Sequence, residues 1–140
     1  MKKVLLISFI ILVLIQFIQT NKENIAVEKN LEIKANAEVY HILKIACYDC
    51  HSNETIWPWY SNIAPFSWVV ADHVRDGQKA LNFSTWENYS QEEKQKKLKD
   101  IYRTVYASMP LASYIYAHKE ADLTKEQRSM IRTWTGVRLK

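Results

Sequence analysis

The 140-residue sequence predicts an all-α fold: one small helical domain preceded by an N-terminal hydrophobic helix. Three observations predict it. Glycine occurs twice and proline three times, too few for an all-β domain built on tight turns. Apolar residues recur at helical spacing in several segments. Signatures of the type Ser-x-x-Glu, which cap helix N-termini, stand ahead of the clearest of those segments.

The chain opens MKKVLLISFIILVLIQFIQTNKEN, with Lys2 and Lys3 followed by an uncharged run from Val4 to Gln19. A basic start and an apolar run mark an export signal or an uncleaved anchor. The run falls short of the roughly 20 residues that a spanning helix needs. However, no small-x-small cleavage site follows Gln19, and no cysteine lies nearby for lipid attachment. The expectation is a signal anchor over residues 1–20, with a cleaved signal peptide as the alternative. Lys2 and Lys3 then remain in the cytoplasm. The rest stands on the periplasmic side of the inner membrane, held by residues 4–19, or free in the periplasm after cleavage.

Residues 21–36 (NKENIAVEKNLEIKAN) read as a polar spacer, and residues 37–140 as the domain. Val39, Leu43 and Ala46 sit at helical spacing, so a short helix runs from Ala37 into CYDCH at 47–51. Residues 52–66 read as a loop flanked by Pro58 and Pro65. Pro65 suits the first turn of a second helix, expected to end at Gly77. Ser84–Glu87 and Ser90–Glu93 both match the capping box, and the second opens a helix over 91–107 with Leu98, Ile101, Tyr102 and Val105 on one face. Thr124–Gln127 is a further capping box, followed by Met130, Ile131 and Trp134, with Gly136 placed to stop the helix.

Charge excludes little but points away from nucleic acid. The formal net charge is +4, and Lys2 and Lys3 supply two of those charges. The lysines of QEEKQKKLKD alternate with glutamates, as on a solvated helix face.

The only two cysteines are Cys47 and Cys50, with His51 directly behind. Two thiols three apart on a helical turn can reach the two vinyl groups along one porphyrin edge, and the following histidine can swing beneath the iron. Cys-x-x-Cys-His therefore reads as attachment of one covalent haem c. Structural zinc needs four ligands; the remaining ones would come from His41, His51, His73 and His118, which form no His-x(3–5)-His pair. A thioredoxin-like dithiol needs a βαβ context that the pattern lacks. A disulfide closing so short a loop would stabilise little. Export agrees with haem, because bacterial c-type haem is attached outside the cytoplasm.

The opposite face of the iron needs an occupant. Met109 follows the 91–107 helix, and Pro110 forces the chain out of it, leaving the thioether on a loop free to approach the metal. His73 and His118 are the alternatives, along with an open position. Met130, on an apolar stripe, reads as core. Trp57, Trp59, Tyr60 and Trp68 follow the motif closely and read as core or haem wall, which in so small a domain are the same thing. The outer nitrogen of His51 requires an acceptor; a carbonyl of the Pro58 or Ala64–Pro65 loop is the expectation.

Taken together, CYDCHSNETIWPWYSNIAPFSWVVADHVRDGQKALNFSTW and MPLASYIYAHKEADLT resemble the small haem-binding domain proteins of the cytochrome c type found mainly in Bacteroidetes-like bacteria. The resemblance covers about residues 40–136. It rests on Cys47, Cys50 and His51, the Trp-Pro-Trp-Tyr run at 57–60, Asn62, Pro65, Asn82-Phe83-Ser84 and Met109-Pro110. It implies a cytochrome c-like helical domain with haem at the two cysteines, His51 as an iron ligand and Met109 as its partner. Leu111 departs from the pattern, since such proteins often carry a second proline there. The expected function is an exported monohaem cytochrome carrying single electrons to a redox partner protein, not a catalyst. A haem enzyme or gas or redox sensor with a displaceable sixth ligand is the alternative.

Overall fold

The computed structural model describes residues 1–138, which form helices and turns with no strand among them. Seven α-helices follow in order: α1 (Lys2–Leu14), α2 (Ala37–Ala46), α3 (Tyr48–His51), α4 (Phe66–Ala80), α5 (Gln91–Ala107), α6 (Ala112–Ala117) and α7 (Lys125–Trp134).

The apolar N-terminus is helical for 13 residues and tightens into a 3-10 turn at Ile15–Phe17. At 1.5 Å per residue α1 is about 20 Å long, against a hydrocarbon core of about 30 Å. No helix among the described residues is long and apolar enough to cross a membrane. Residues 16–24 then lie against the segment 55–68. The Gln16 side-chain amide donates to the Ala64 carbonyl (3.1 Å) and its oxygen accepts from the Ala64 N–H (2.9 Å). Trp68 Nε1 donates to the Ile18 carbonyl at 3.2 Å, and Asn24 to the Thr55 carbonyl at 3.0 Å.

Residues 21–36, read from sequence as a polar spacer, run along the domain and contribute to its core. Ile33 is buried and its N–H donates to the Phe83 carbonyl at 2.9 Å. Glu32 is also buried. A buried carboxylate must be matched, and Glu32 Oε1 accepts from the hydroxyls of Tyr48 (2.9 Å) and Tyr40 (3.2 Å) while Lys29 lies 3.4 Å from Oε2.

Two apolar clusters meet at α2. Asn36 caps it by accepting from the Val39 N–H at 2.9 Å. Val39 and Leu43 face a cluster with Ile33, Tyr48, Phe83 and Trp86; Ile42 and Ala46 face a second with Val105, Ala121, Leu123 and Ile131. Each fully buried aliphatic side chain contributes about 1.5–3 kcal/mol. Cys47 packs against both clusters, so the Cys-x-x-Cys-His motif starts at their junction.

Two expected boundaries shift. α4 continues through Gly77 to Ala80 instead of ending at the glycine, because Gly77 serves helix packing, as shown below. Ser84–Glu87 is not a capping box. The Asn82 side chain caps the 3-10 turn Phe83–Asn88 by accepting from the Ser84 N–H, and Ser84 Oγ accepts from the Asn53 N–H at 3.0 Å. Both Ser90–Glu93 and Thr124–Gln127 close as reciprocal capping boxes on α5 and α7. Gly136, at φ 66°, takes the left-handed conformation just past α7.

Candidate functional site

α2 breaks at Cys47, whose backbone (φ −129°, ψ −34°) is not helical, and α3 restarts at Tyr48. The short α3 keeps its turn through hydrogen bonds from the Cys50 and His51 N–H groups to the Cys47 carbonyl (3.2 and 2.9 Å). Both thiols are free. Loss of solvation, followed by the neighbouring thiol charge, pushes the Cys47 pKa up to about 12; loss of solvation and then Asp49 push Cys50 up to about 11. Both therefore stay as neutral S–H groups at physiological pH.

His51 is oriented by α4. Its Nδ1 lies 2.9 Å from the Gly77 carbonyl oxygen and 3.2 Å from that of Leu81. A carbonyl can only accept, so Nδ1 carries the proton. Burial holds the imidazole pKa below its ordinary value, so the ring is neutral and Nε2 presents a lone pair. Nε2 makes no hydrogen bond among the described residues. These acceptors replace the expected Pro58 or Ala64 carbonyl. Those two are occupied elsewhere, by the Ser61 hydroxyl and by Gln16. The end of α4 wins because the Leu81 carbonyl lies past the last helical residue, where carbonyls have no intrahelical partner, and because Gly77, whose carbonyl takes the His51 proton beside the Leu81 N–H, lets α4 approach closely. A β-carbon at residue 77 would lie 2.3 Å from the Cys50 carbonyl oxygen. Gln78 adds a bond to the Ser52 carbonyl at 2.7 Å.

Beside this unit lies a largely apolar cavity with about 820 Å³ of empty space. His51, Cys47 and Met109 line it together with Leu43, Ala46, Leu81, Phe83, Ile101, Val105 and Ile131. A second cavity of about 760 Å³ shares Ala46, Cys47, His51, Ala80, Met109 and Pro110, and adds Cys50, His73, Gly77 and Tyr114. Cys47, Cys50, His51 and Met109, spread over 63 positions of sequence from first to last, all line this second cavity. Arg128 secures the Met109 segment: its Nη1 donates to the carbonyls of Met109 (2.7 Å) and Val105, and its Nε to that of Leu123 (3.1 Å).

The aromatic candidates divide. Trp59 and Tyr60 line an adjoining groove that shares Asp49, Cys50 and Tyr114 with the second cavity or its rim. Trp57, Pro65 and Trp68 line none of these spaces. Trp68 bonds the Ile18 carbonyl, and Trp57 Nε1 is buried without a partner among the described residues. The wall next to His51 comes instead from α2, α5, α7 and Phe83. Phe83 meets the His51 ring edge-on (6.3 Å) and stacks on Tyr48 (5.3 Å), one of the two residues between the cysteines. Periodicity marked α5 and α7 as apolar faces, but no local signal tied them to the motif.

Among the alternative ligands, His73 is exposed yet lines the second cavity. Both nitrogens of His118 are engaged: Nε2 lies 2.9 Å from the Tyr60 hydroxyl and Nδ1 3.2 Å from Glu120, with the ring stacked on Tyr114. His41 is exposed on α2. No group of three or more His, Cys, Asp and Glu side chains that could hold a metal ion occurs among the described residues.

Two soft donors, an imidazole with a free lone pair, a thioether and an apolar slot form a donor set that fits haem. No match was found among curated proteins, nor among solved structures. A family model described as a haem-binding domain matches residues 10–136. With that match over nearly the whole chain, and with the cavity its residues enclose, this chain belongs to the haem-binding domain family.

Proposed function

We propose that the protein is an exported, membrane-anchored monohaem cytochrome of the c type that carries single electrons. In this reading Cys47 and Cys50 bind the haem covalently, and His51 and Met109 are its axial ligands. One observation carries the proposal: His51 donates Nδ1–H to two backbone carbonyls, which directs Nε2 as a lone pair, while both thiols and Met109 border the same apolar space.

The haem, when bound, supplies a one-electron couple. The chain's own residues do the rest. The Gly77 and Leu81 carbonyls fix the tautomer of His51 and raise its basicity. Leu43, Phe83, Ile101 and Val105 exclude water from the cavity, which raises the reduction potential by lowering the local dielectric. Arg128 holds the Met109 backbone in place. His51 and Met109 would together hold the iron, which would leave no site open for substrate and would suit transfer over catalysis.

The second reading, a haem enzyme or gas sensor, is favoured by His73 at the cavity mouth. It requires that Met109 not ligate or leave easily. Expression with a c-haem maturation system separates the two. Haem that stays with the chain under denaturing conditions supports covalent attachment, and its release would overturn it. A low-spin ferric spectrum that becomes partly high-spin in Met109→Ala supports the His/Met pair. Rapid carbon monoxide binding by the reduced parent chain would favour the sensor reading.

A further inference from the structure

α1 is apolar on all sides and none of its residues is buried. A helix apolar all round calls for lipid or protein on every face. The chain that leaves it is fastened at once: only Ile15 stands between Leu14 and Gln16, whose side chain bonds both the N–H and the carbonyl of Ala64. Two residues span about 7 Å at most, so the end of α1 lies beside Ala64. Lys22 continues the attachment at the Ser61 carbonyl (2.9 Å) and Asn62.

Ile63 and Phe66, on either side of Ala64–Pro65, line a groove of about 1180 Å³. Its rim carries Ile56, Trp59, Ile63, Phe66, Val69 and Tyr116, with Ile56, Trp59 and Tyr116 exposed to 77, 75 and 83%. None of the six is charged, and the set combines aliphatic side chains with Trp, Tyr and Phe, the composition of a membrane–water interface.

We infer that this groove is a second membrane-contacting face: its aromatic rim sits in the headgroup layer of the bilayer that holds α1. The inference rests on the anchor reading, and two features of the chain carry it further. The short tether leaves the groove no room to stand away from the bilayer surface. The shortness of α1, about 20 Å against about 30 Å of hydrocarbon, draws the attached domain inward. The groove shares Cys50, His73 and Tyr114 with the cavity beside His51. The cavity mouth therefore opens along the membrane surface, toward partners that are themselves bound there.

The test uses the full haem-loaded chain in vesicles of phosphatidylcholine and phosphatidylglycerol. The fluorophore NBD is attached at Trp59→Cys or Tyr116→Cys, at Leu6→Cys in α1, and at Lys99→Cys on the exposed side of α5. The unsubstituted chain, taken through the same labelling, reports any dye on Cys47 or Cys50, and the haem spectrum reports folding. Quenching by doxyl lipid is compared with quenching by aqueous iodide. At positions 59 and 116 a several-fold preference for the lipid quencher over that at position 99 is expected. Iodide quenching at 59 and 116 equal to that at 99 overturns the inference, and so would a groove covered only when a protein partner is added. Position 6 reports the anchor separately: lipid at 6 with water at 59 and 116 sinks the face alone, and water at all three sinks both. Lipid at 59 and 116 with water at 6 retains the face and removes the anchor.

Discussion

Gly77 and Cys50 are in backbone contact: a β-carbon on residue 77 would sit 2.3 Å from the Cys50 carbonyl oxygen and 3.1 Å from the Cys50 β-carbon. The same glycine offers its carbonyl to His51 at 2.9 Å. Close approach and orientation of the imidazole therefore come from one residue.

Gly77→Ala must push α4 away from α3. Overpacking of this kind costs about 1–3 kcal/mol, in spite of the better helix propensity of alanine. The expected outcome is a thermal midpoint lowered by several degrees in the apoprotein, together with an altered spectrum of the haem-loaded chain. An unchanged midpoint and spectrum would show that the α3–α4 contact is softer than the backbone geometry requires.

Arg128 has three backbone carbonyls as its partners, and removing it leaves them unmatched. Arg128→Ala is expected to cost about 1–3 kcal/mol and to loosen Met109 in particular. Carbon monoxide should then bind the reduced haem-loaded variant faster than the parent. Arg128→Lys, which keeps the charge but not the fork of donors, should recover little of either property. Equal carbon monoxide rates in all three chains would separate Arg128 from the Met109 position.

The lowered pKa of His51 makes apoprotein stability depend on pH. The unfolded chain takes up a proton near pH 6.5, the ordinary imidazole value, while the buried folded ring takes it up only at lower pH. Between those two values the unfolded state binds more protons, so stability falls as pH falls. Urea melts of the apoprotein from pH 8 to pH 5 should show the loss beginning near 6.5. In His51→Gln this component of the slope should disappear.

The raised thiol pKa values predict slow chemistry. With Cys50 at about 11 instead of 9.0, its thiolate fraction at pH 8 is about 100-fold smaller than in the unfolded chain. Iodoacetamide should alkylate the folded apoprotein slower by at least that factor, and urea should restore the ordinary rate. A fast reaction in the folded state would mean that the two thiols are better solvated than their burial indicates.

The capping box of α5 offers a local control. Ser90→Ala removes the side chain that accepts from the Glu93 N–H and should cost about 1 kcal/mol. It lies at the start of α5, so haem spectra should not change while the denaturant midpoint falls.

The sequence by itself determined the helical class, the caps at Ser90 and Thr124 and the stop at Gly136, and it pointed to haem as the bound group. All of these are local: a capping box spans four residues, and Cys-x-x-Cys-His spans five. Periodicity likewise exposed the apolar faces of α5 and α7. Only the tertiary structure decided what those faces surround. His51 finds its acceptors 26 and 30 residues further on, Phe83 and not Trp57 or Trp68 reaches the cavity, and Glu32 in a charged stretch becomes the buried partner of Tyr48. Gly77 looked like a helix end because glycine is a weak helix former. In the fold it is interior, since what it lacks, a β-carbon, matters only when another backbone arrives from far along the chain.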